Sequence, residues 1–163
     1  MNDLVAIQNN ANLRIEPLKL SLYINNTINA VTMYGFDNNV TIINRVPKNT
    51  LVSFNSAYLE SVLLNLTTNA IKYAHPDRLP VIEFDFCIKK NKKVLAVKDN
   101  GLGIDLEKYE KLLFGLYNTF HNNDKASGIG LYITKNQIED MKGKINVTSE
   151  VGEGTVFEVV FND

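Results

Sequence analysis

The sequence predicts an α+β fold, with helices packed on one face of a mostly antiparallel sheet. Three observations carry that reading. The strand-like runs come largely in hairpin-linked pairs, with helical segments between them in a mixed order. Residues 81–88, VIEFDFCI, set Ile82, Phe84, Phe86 and Ile88 against Glu83, Asp85 and Cys87, the alternation of a strand with one buried face. Residues 59–72, LESVLLNLTTNAIK, place Leu59, Val62, Leu63, Leu66, Ala70 and Tyr73 in one apolar arc at about 100° per residue, which is a helix facing a core.

The elements follow in order. Residues 1–12 offer only Leu4, Ile7 and Ala11 as a helical face, too short to be stable alone. Residues 13–20 read as extended, and Pro17 places them near a sheet edge. Ser21 is the expected N-cap of a helix carrying Ile24, Ile28 and Val31 on one face and closed near Gly35. After the turn at Asp37-Asn38-Asn39, a strand with Val40, Ile42 and Val46 is expected to form a hairpin with residues 51–54 across Pro47-Lys48-Asn49. Asn55 or Ser56 caps the long helix and Pro76 ends it. Residues 89–93 turn, and their lysines read as a solvated face rather than a basic patch. Residues 94–98 return as a strand that runs into Asp99. Residues 107–114 form a short helix, and the polar run 118–127 is a loop without a usable period. Leu131, Thr134, Ile138 and Met141 mark a helix from the Gly128–Gly130 turn to Gly143. Two last strands, 144–149 and 155–161, flank a Gly-containing hairpin turn at Val151-Gly152-Glu153-Gly154.

Composition narrows the class. The 163 residues suit one domain with one core, and 45% apolar with 21% charged residues is globular. A net charge of −1 argues against a broad nucleic-acid-binding face. Cys87 is alone, so no intrachain disulfide can form, and the expected setting is reducing and cytoplasmic. No apolar run approaches the roughly 20 residues that span a bilayer, so no direct membrane contact is expected of this domain.

Three places could carry chemistry. On the helix over 59–72, Asn65, Asn69 and Lys72 share a stripe between two apolar flanks, with Leu64 and Ile71 beyond it. Burying an unpartnered amide costs roughly 1–3 kcal/mol, so the stripe has a partner: protein, water or ligand. Asp99-Asn100-Gly101-Leu102-Gly103-Ile104 follows a strand; its carboxylate can accept from an exocyclic amine, and its glycines let backbone approach a flat ring. Ser127-Gly128-Ile129-Gly130-Leu131 opens a helix, where glycine and the helix N-terminus favour phosphate oxygens. Taken singly, the last two are as well explained by tight turns.

In series they are more specific. The chain carries N-x-x-x-N-A-x-K-Y, then D-N-G-x-G-I-D, a polar loop, S-G-I-G-L at a helix start, and a final hairpin with Gly143-Lys144-Ile145 and Gly154-Thr155-Val156-Phe157. This order resembles the catalytic and ATP-binding domain of sensor histidine kinases, in the Bergerat-fold ATPase superfamily, over roughly residues 14–161. LFGLYNTFH and GIGLYITKNQIEDMKGKI are similar to the two-component sensor kinases in particular. The resemblance implies a two-layer α/β sandwich with a mixed sheet, and ATP with Mg²⁺ as ligands. It implies that Asn69 coordinates the metal, that Asn65 makes a second polar contact to phosphate or metal, that Lys72 reaches phosphate and that Tyr73 packs on adenine. Asp99 matches the carboxylate that receives the adenine amine, Gly101 and Gly103 the first glycine box, and Ile104 a wall of the base pocket. Phe114 and Tyr117 resemble the aromatic box. Residues 118–127 match the ATP lid, with Lys125 as a lid cation for the γ-phosphate, and Ser127, Gly128, Ile129, Gly130 and Leu131 the second glycine box.

Some positions depart from the family pattern. Ala126 stands where many members carry the first glycine of G-x-G-x-G. His75 and His121 lack the acidic neighbour and helical setting of a phosphoacceptor, so both read as surface histidines. Residues 1–13 are therefore expected to be the stub of an upstream dimerisation-hairpin helix, residues 14–163 the ATP-binding domain, and the chain a monomeric fragment of a homodimeric parent. Hydrolysing relatives carry a Glu one turn before the metal-binding asparagine; here Asn65 cannot take a proton. The resemblance thus implies that the γ-phosphate passes to an upstream histidine and then to an Asp of a response regulator receiver domain. The alternatives are a nucleotide-binding regulatory module without catalysis and a serine kinase of the anti-sigma type.

Overall fold

A computed structural model describes residues 13–33, 39–115 and 129–163. Residues 1–12 of the expected stub, Gly35, and the lid with Lys125, Ala126, Ser127 and Gly128 lie outside the described residues, as do Tyr117 and His121.

The chain runs β1 (Glu16–Lys19), α1 (Leu20–Met33), β2 (Thr41–Asn44), β3 (Leu51–Phe54), α2 (Ser56–Lys72), β4 (Val81–Lys89), β5 (Lys92–Asp99), α3 (Leu106–Tyr109), α4 (Ile129–Asp140), β6 (Lys144–Glu150) and β7 (Gly154–Val160). Five strands form the main sheet in the order β2-β4-β5-β7-β6, and β1 pairs with β3 in a separate two-stranded sheet. All pairs are antiparallel except β2 with β4. The expected α+β class and mixed, mostly antiparallel sheet are thus observed.

Register explains which face is buried. Ile82, Asp99 and Thr155 lie side by side across β4, β5 and β7, as do Phe84, Val97 and Phe157. These rows point to the helices, because side chains two residues apart share a face. Except for Asp99 they are buried in the core, where Leu59, Val62, Leu63 and Leu66 of α2 meet them. The opposite face carries Glu83, Lys98 and Glu158 and is laced by exposed ion pairs, Arg45–Glu83 and Lys89–Glu158, each worth little. Helix α2 packs between α1 and α4. Burying a side chain such as Leu63 or Phe84 contributes about 2 kcal/mol, so this seam dominates the fold.

Several expectations are corrected. Strands β2 and β3 form no hairpin: β2 pairs in parallel with β4, and β3 pairs with β1. The cause sits at Asn44, whose carboxamide oxygen accepts from the Val46 N–H at 3.0 Å and ends the strand. Its amide nitrogen donates to the Ser21 carbonyl and hydroxyl and to Asn25 of α1, so the chain is turned before it can fold back. Ser21 is no N-cap; α1 opens at Leu20 directly from β1, and Ser21 is buried one residue inside. The short helix after Asp105 ends at Tyr109 instead of extending to Phe114. Ile88 is exposed near the end of β4, beyond the reach of the helical layer. The Lys89–Lys92 hairpin turns through Lys90 and Asn91, both at positive φ, which suits a two-residue turn. Lys89, Lys92 and Lys93 are engaged with Glu158, Asn162 and Asp163, which supports a solvated turn and not a basic patch.

Asn55, and not Ser56, is the cap of α2: its side-chain oxygen accepts from the Tyr58 N–H at 3.1 Å, and its nitrogen donates to the Arg14 carbonyl at 2.9 Å. Asn55→Ala loses both bonds and is expected to destabilise the domain by about 1 kcal/mol in urea unfolding, with an unchanged m-value.

Candidate functional site

Helix α2 presents the polar stripe as its spacing requires. Leu59, Val62, Leu63, Leu66 and Ala70 are buried, while Asn65 and Asn69 are half-buried beside them and Lys72 is exposed. The two amides have different surroundings. Asn65 faces α4: its nitrogen donates to the Thr134 hydroxyl at 3.3 Å and, weakly, to the Gly130 carbonyl at 3.5 Å. Thr134 donates to that same carbonyl at 2.8 Å, so a small polar joint links α2 to the first turn of α4. Asn69 faces a cavity. Their expected partner is therefore protein for Asn65 and open space for Asn69.

Strand β5 delivers Asp99 to the same cavity. Its carboxylate oxygen accepts from the Gly101 N–H at 2.9 Å, and the Thr155 N–H donates to it as well. Burial pushes the Asp99 carboxyl above the ordinary aspartate range, and those two backbone N–H groups pull it back. Asp99 is thus a half-buried acid with no cationic partner among the groups that shift its pKa.

The loop after Asp99 is pressed between two other segments. The Leu102 N–H donates to the Tyr73 carbonyl at 2.9 Å, and the Gly152 N–H to the Leu102 carbonyl at 2.7 Å. A Cβ on Gly101 would stand 2.5 Å from the Tyr73 carbonyl oxygen, and one on Gly103 would stand 2.1 Å from that of Glu150. Gly103 also has φ +74, which only glycine adopts without strain. Sequence reasoning assigned these glycines to close approach of a flat ring; in the structure the close approach is to protein backbone. Gly130 differs: among the described residues its Cβ would meet only Asn65, at ordinary contact distance.

The cavity is lined by Asn69, Tyr73, Asp99, Gly103, Ile104, Thr155 and Phe157 and holds about 10 Å³, room for about one water. It brings together Asn69, Tyr73, Asp99, Gly103 and Ile104. Gly101 is buried behind it, against the end of α2. Asn65, Gly130 and the buried Leu131 lie at the α2–α4 joint, where Ile129 opens α4. Phe114 stands edge-on to Phe157 at 6.3 Å, with the Lys135 ammonium 5.6 Å from its ring. Nδ1 of His75 accepts from the Asp77 N–H at 3.1 Å in a local turn, as suits a histidine without a chemical role.

Thr155, Phe157 and Ser149 were missed as site residues. Thr155 interrupts an apolar inward face in β7, directly opposite Asp99 in the register, and that interruption is the signal the sequence carried. Ser149 accepts from the Ile104 N–H at 2.7 Å, donates to the Gly154 carbonyl at 2.8 Å and lies 2.8 Å from the Thr155 hydroxyl. It fixes the pocket wall to the last hairpin, and no local pattern announces it.

Comparison with known proteins agrees with this geometry. The family model described as "Histidine kinase-, DNA gyrase B-, and HSP90-like ATPase" matches residues 55–163. The sensor protein kinase WalK of Staphylococcus aureus is 30% identical over 95% of this chain, which spans 39% of that protein. The Acinetobacter baumannii histidine kinase AdeS superposes with a TM-score of 0.78 at 20% identity, covering 99% of this chain and 75% of that one. A nucleotide-free catalytic domain of the histidine kinase ThkA superposes at 0.76 with 23% identity, covering 91% and 97%. These two likenesses are of fold. The family match spans most of the chain and both walls of the cavity, and on that ground the chain belongs to the histidine kinase-, DNA gyrase B- and HSP90-like ATPase family.

Proposed function

We propose that this domain binds Mg²⁺-ATP and presents the γ-phosphate to a histidine of a separate dimerisation domain, as the catalytic part of a two-component sensor histidine kinase. The observation that carries it is the pairing of Asn69 and Asp99 on one cavity, with no other carboxylate among its lining residues. Asp99 receives the exocyclic amine of adenine, while Tyr73, Ile104 and Phe157 enclose the ring. Gly130, with room beside it, lets phosphate approach the start of α4. Lys72, Lys125, Ser127, Gly128, Ile129 and Leu131 complete the phosphate side in this reading.

The donor set suits Mg²⁺. Among the described residues there is no cluster of three or more His, Cys, Asp or Glu that could hold an ion alone. Magnesium in nucleotide sites is held by one or two protein oxygens with phosphates and waters, and the Asn69 amide oxygen is such a ligand. Bound there, the ion would neutralise phosphate charge. The chain's own part is positioning. Asn65, engaged with Thr134 and Gly130, offers no base for water, which favours transfer over hydrolysis.

The remaining parts of the proposal concern the parent protein. Residues 14–163 are the ATP-binding domain, monomeric by itself, of a homodimeric parent that serves a response regulator. The domain works in the cytoplasm; among the described residues no helix is long and apolar enough to cross a membrane. The relative WalK is named a sensor protein kinase, which supports this reading.

Transfer is tested with γ-labelled ATP, the dimerisation domain and its histidine variant. Label is expected on histidine in the former only. Tight Mg²⁺-ATP binding with no labelled histidine would instead favour a regulatory module, and label on a partner's serine would favour the anti-sigma-type kinase. Asn69→Ala is expected to weaken ADP binding in the presence of Mg²⁺ by much more than in EDTA; equal losses in calorimetry would remove its ligand role.

Asp99 couples stability to binding. Its raised pKa means that the folded state holds the proton more tightly than the unfolded state, whose value is near 3.8. Stability contributed by that group therefore falls as pH rises from about 3.8 to the raised value, and the burial cost is fully present above it. Asp99→Asn is expected to melt no lower than the parent at neutral pH, yet to bind ADP at least about tenfold more weakly, about 1.4 kcal/mol. Calorimetry and thermal melts on the same samples check both halves.

A further inference from the structure

Between α2 and β4 the chain passes through Arg78, a residue outside the motif set and outside the cavity lining. Its guanidinium reaches the backbone of two separate segments. Nε donates to the Asn100 carbonyl at 2.7 Å, and Nη2 donates to the Gly101 carbonyl at 3.1 Å and the Gly152 carbonyl at 2.5 Å, with the Glu153 carbonyl at 3.4 Å. Asn100 and Gly101 open the loop that follows Asp99; Gly152 and Glu153 form the β6–β7 turn. The same linker holds Asn100 by its side chain, since Asn100 accepts from the Val81 N–H at 2.8 Å and donates to the Leu79 carbonyl at 3.0 Å.

We propose that Arg78 is a positioning residue for base recognition: it clamps the loop after Asp99 to the β6–β7 turn and so sets where the Asp99 carboxylate and the Gly103–Ile104 wall stand. The proposal rests on the reading of the cavity as an adenine pocket. The chemistry is particular to arginine. A planar fork carries donors at separated nitrogens and can satisfy carbonyls on two segments at once, whereas a lysine ammonium is one point on a flexible stem. The clamp adds to ties the loop already has, from the Gly101 N–H to Asp99 and from the Ile104 N–H to Ser149. Within the loop, the Leu102 N–H reaches back to α2 and the Leu102 carbonyl forward to Gly152, but the carbonyls of Asn100 and Gly101 are both turned towards Arg78. Without the guanidinium these carbonyls return to water, and the loop loses its side-chain tie to the β6–β7 turn.

The test compares ADP with inosine diphosphate, which lacks the exocyclic amine that Asp99 would receive. Calorimetry on the parent, Asp99→Asn, Arg78→Ala and Arg78→Lys gives the ratio of the two affinities, and hydrogen exchange on the nucleotide-free proteins reports the Leu102 and Gly152 amides. Arg78→Ala is expected to reduce the ADP preference about fivefold and to speed exchange at both amides, and Arg78→Lys to recover little of either. A general loss of stability would weaken both nucleotides alike and leave the ratio in place. If Arg78→Ala does not fold, Arg78→Lys, which keeps the charge and the stem, carries the same measurements. An unchanged ratio in the arginine variants, while Asp99→Asn abolishes the preference, overturns the clamp and leaves the adenine reading standing. An unchanged ratio in Asp99→Asn removes the adenine reading and the positioning role with it.

Discussion

The carbonyl of Tyr73 lies just past the end of α2 at Lys72, and it accepts from the Leu102 N–H. That bond ties the end of the central helix to the loop after β5, and the geometry around it depends on it. It sets Asn69, one turn back on α2, across from Asp99 at the end of β5. It requires glycine at 101, since any Cβ would meet the same carbonyl oxygen. Further along, Gly103 and Gly154 allow the loop, the end of β5 and the last hairpin to touch backbone to backbone. The pocket is thus a place where three segments are drawn together by orphaned main-chain groups, with side chains added at its rim.

What the sequence revealed follows from where its signals are local. The period of α2 was legible because five core residues recur on one arc, and the edge of that arc correctly placed Asn65 and Asn69. The last helix was legible from Leu131, Thr134, Ile138 and Met141, all buried. The β6–β7 hairpin was legible because its turn carries Gly152 and Gly154, both at positive φ, and the β4–β5 hairpin because a charged run separates two strand-like runs. Pairing between distant segments was not. Val52 and Phe54 alternate identically whether β3 pairs with β2 or with β1, and the decision lay with the Asn44 side chain, whose partners are on α1. Likewise Ser149 and Arg78 act through main-chain carbonyls brought near by folding, which no spacing in the sequence encodes.

The chemistry is spare. Among the described residues Asp99 is the single acid lining the cavity, and its carboxylate accepts from backbone N–H groups. Asn65 is an amide, which cannot take a proton, and it is already committed to α4. In the proposed reading such a site orients a nucleotide, and the many backbone contacts around it hold its walls in place.

Among the described residues, the space between Asn69 and Asp99 holds about one water, less than a purine needs. A base seated there would have to part those walls, and that work would be subtracted from the intrinsic grip on the ligand. The sheet side is poorly suited to yield, because Thr155 and Phe157 lie within paired β7. The opposite wall, at Ile104, is tied to Ser149 through its N–H and leads into α3, a helix of four residues, so fewer bonds hold it than hold paired β7. Tightness of the empty form and readiness to admit a base are then opposing qualities, and filling that small void with a larger side chain would trade the second for the first.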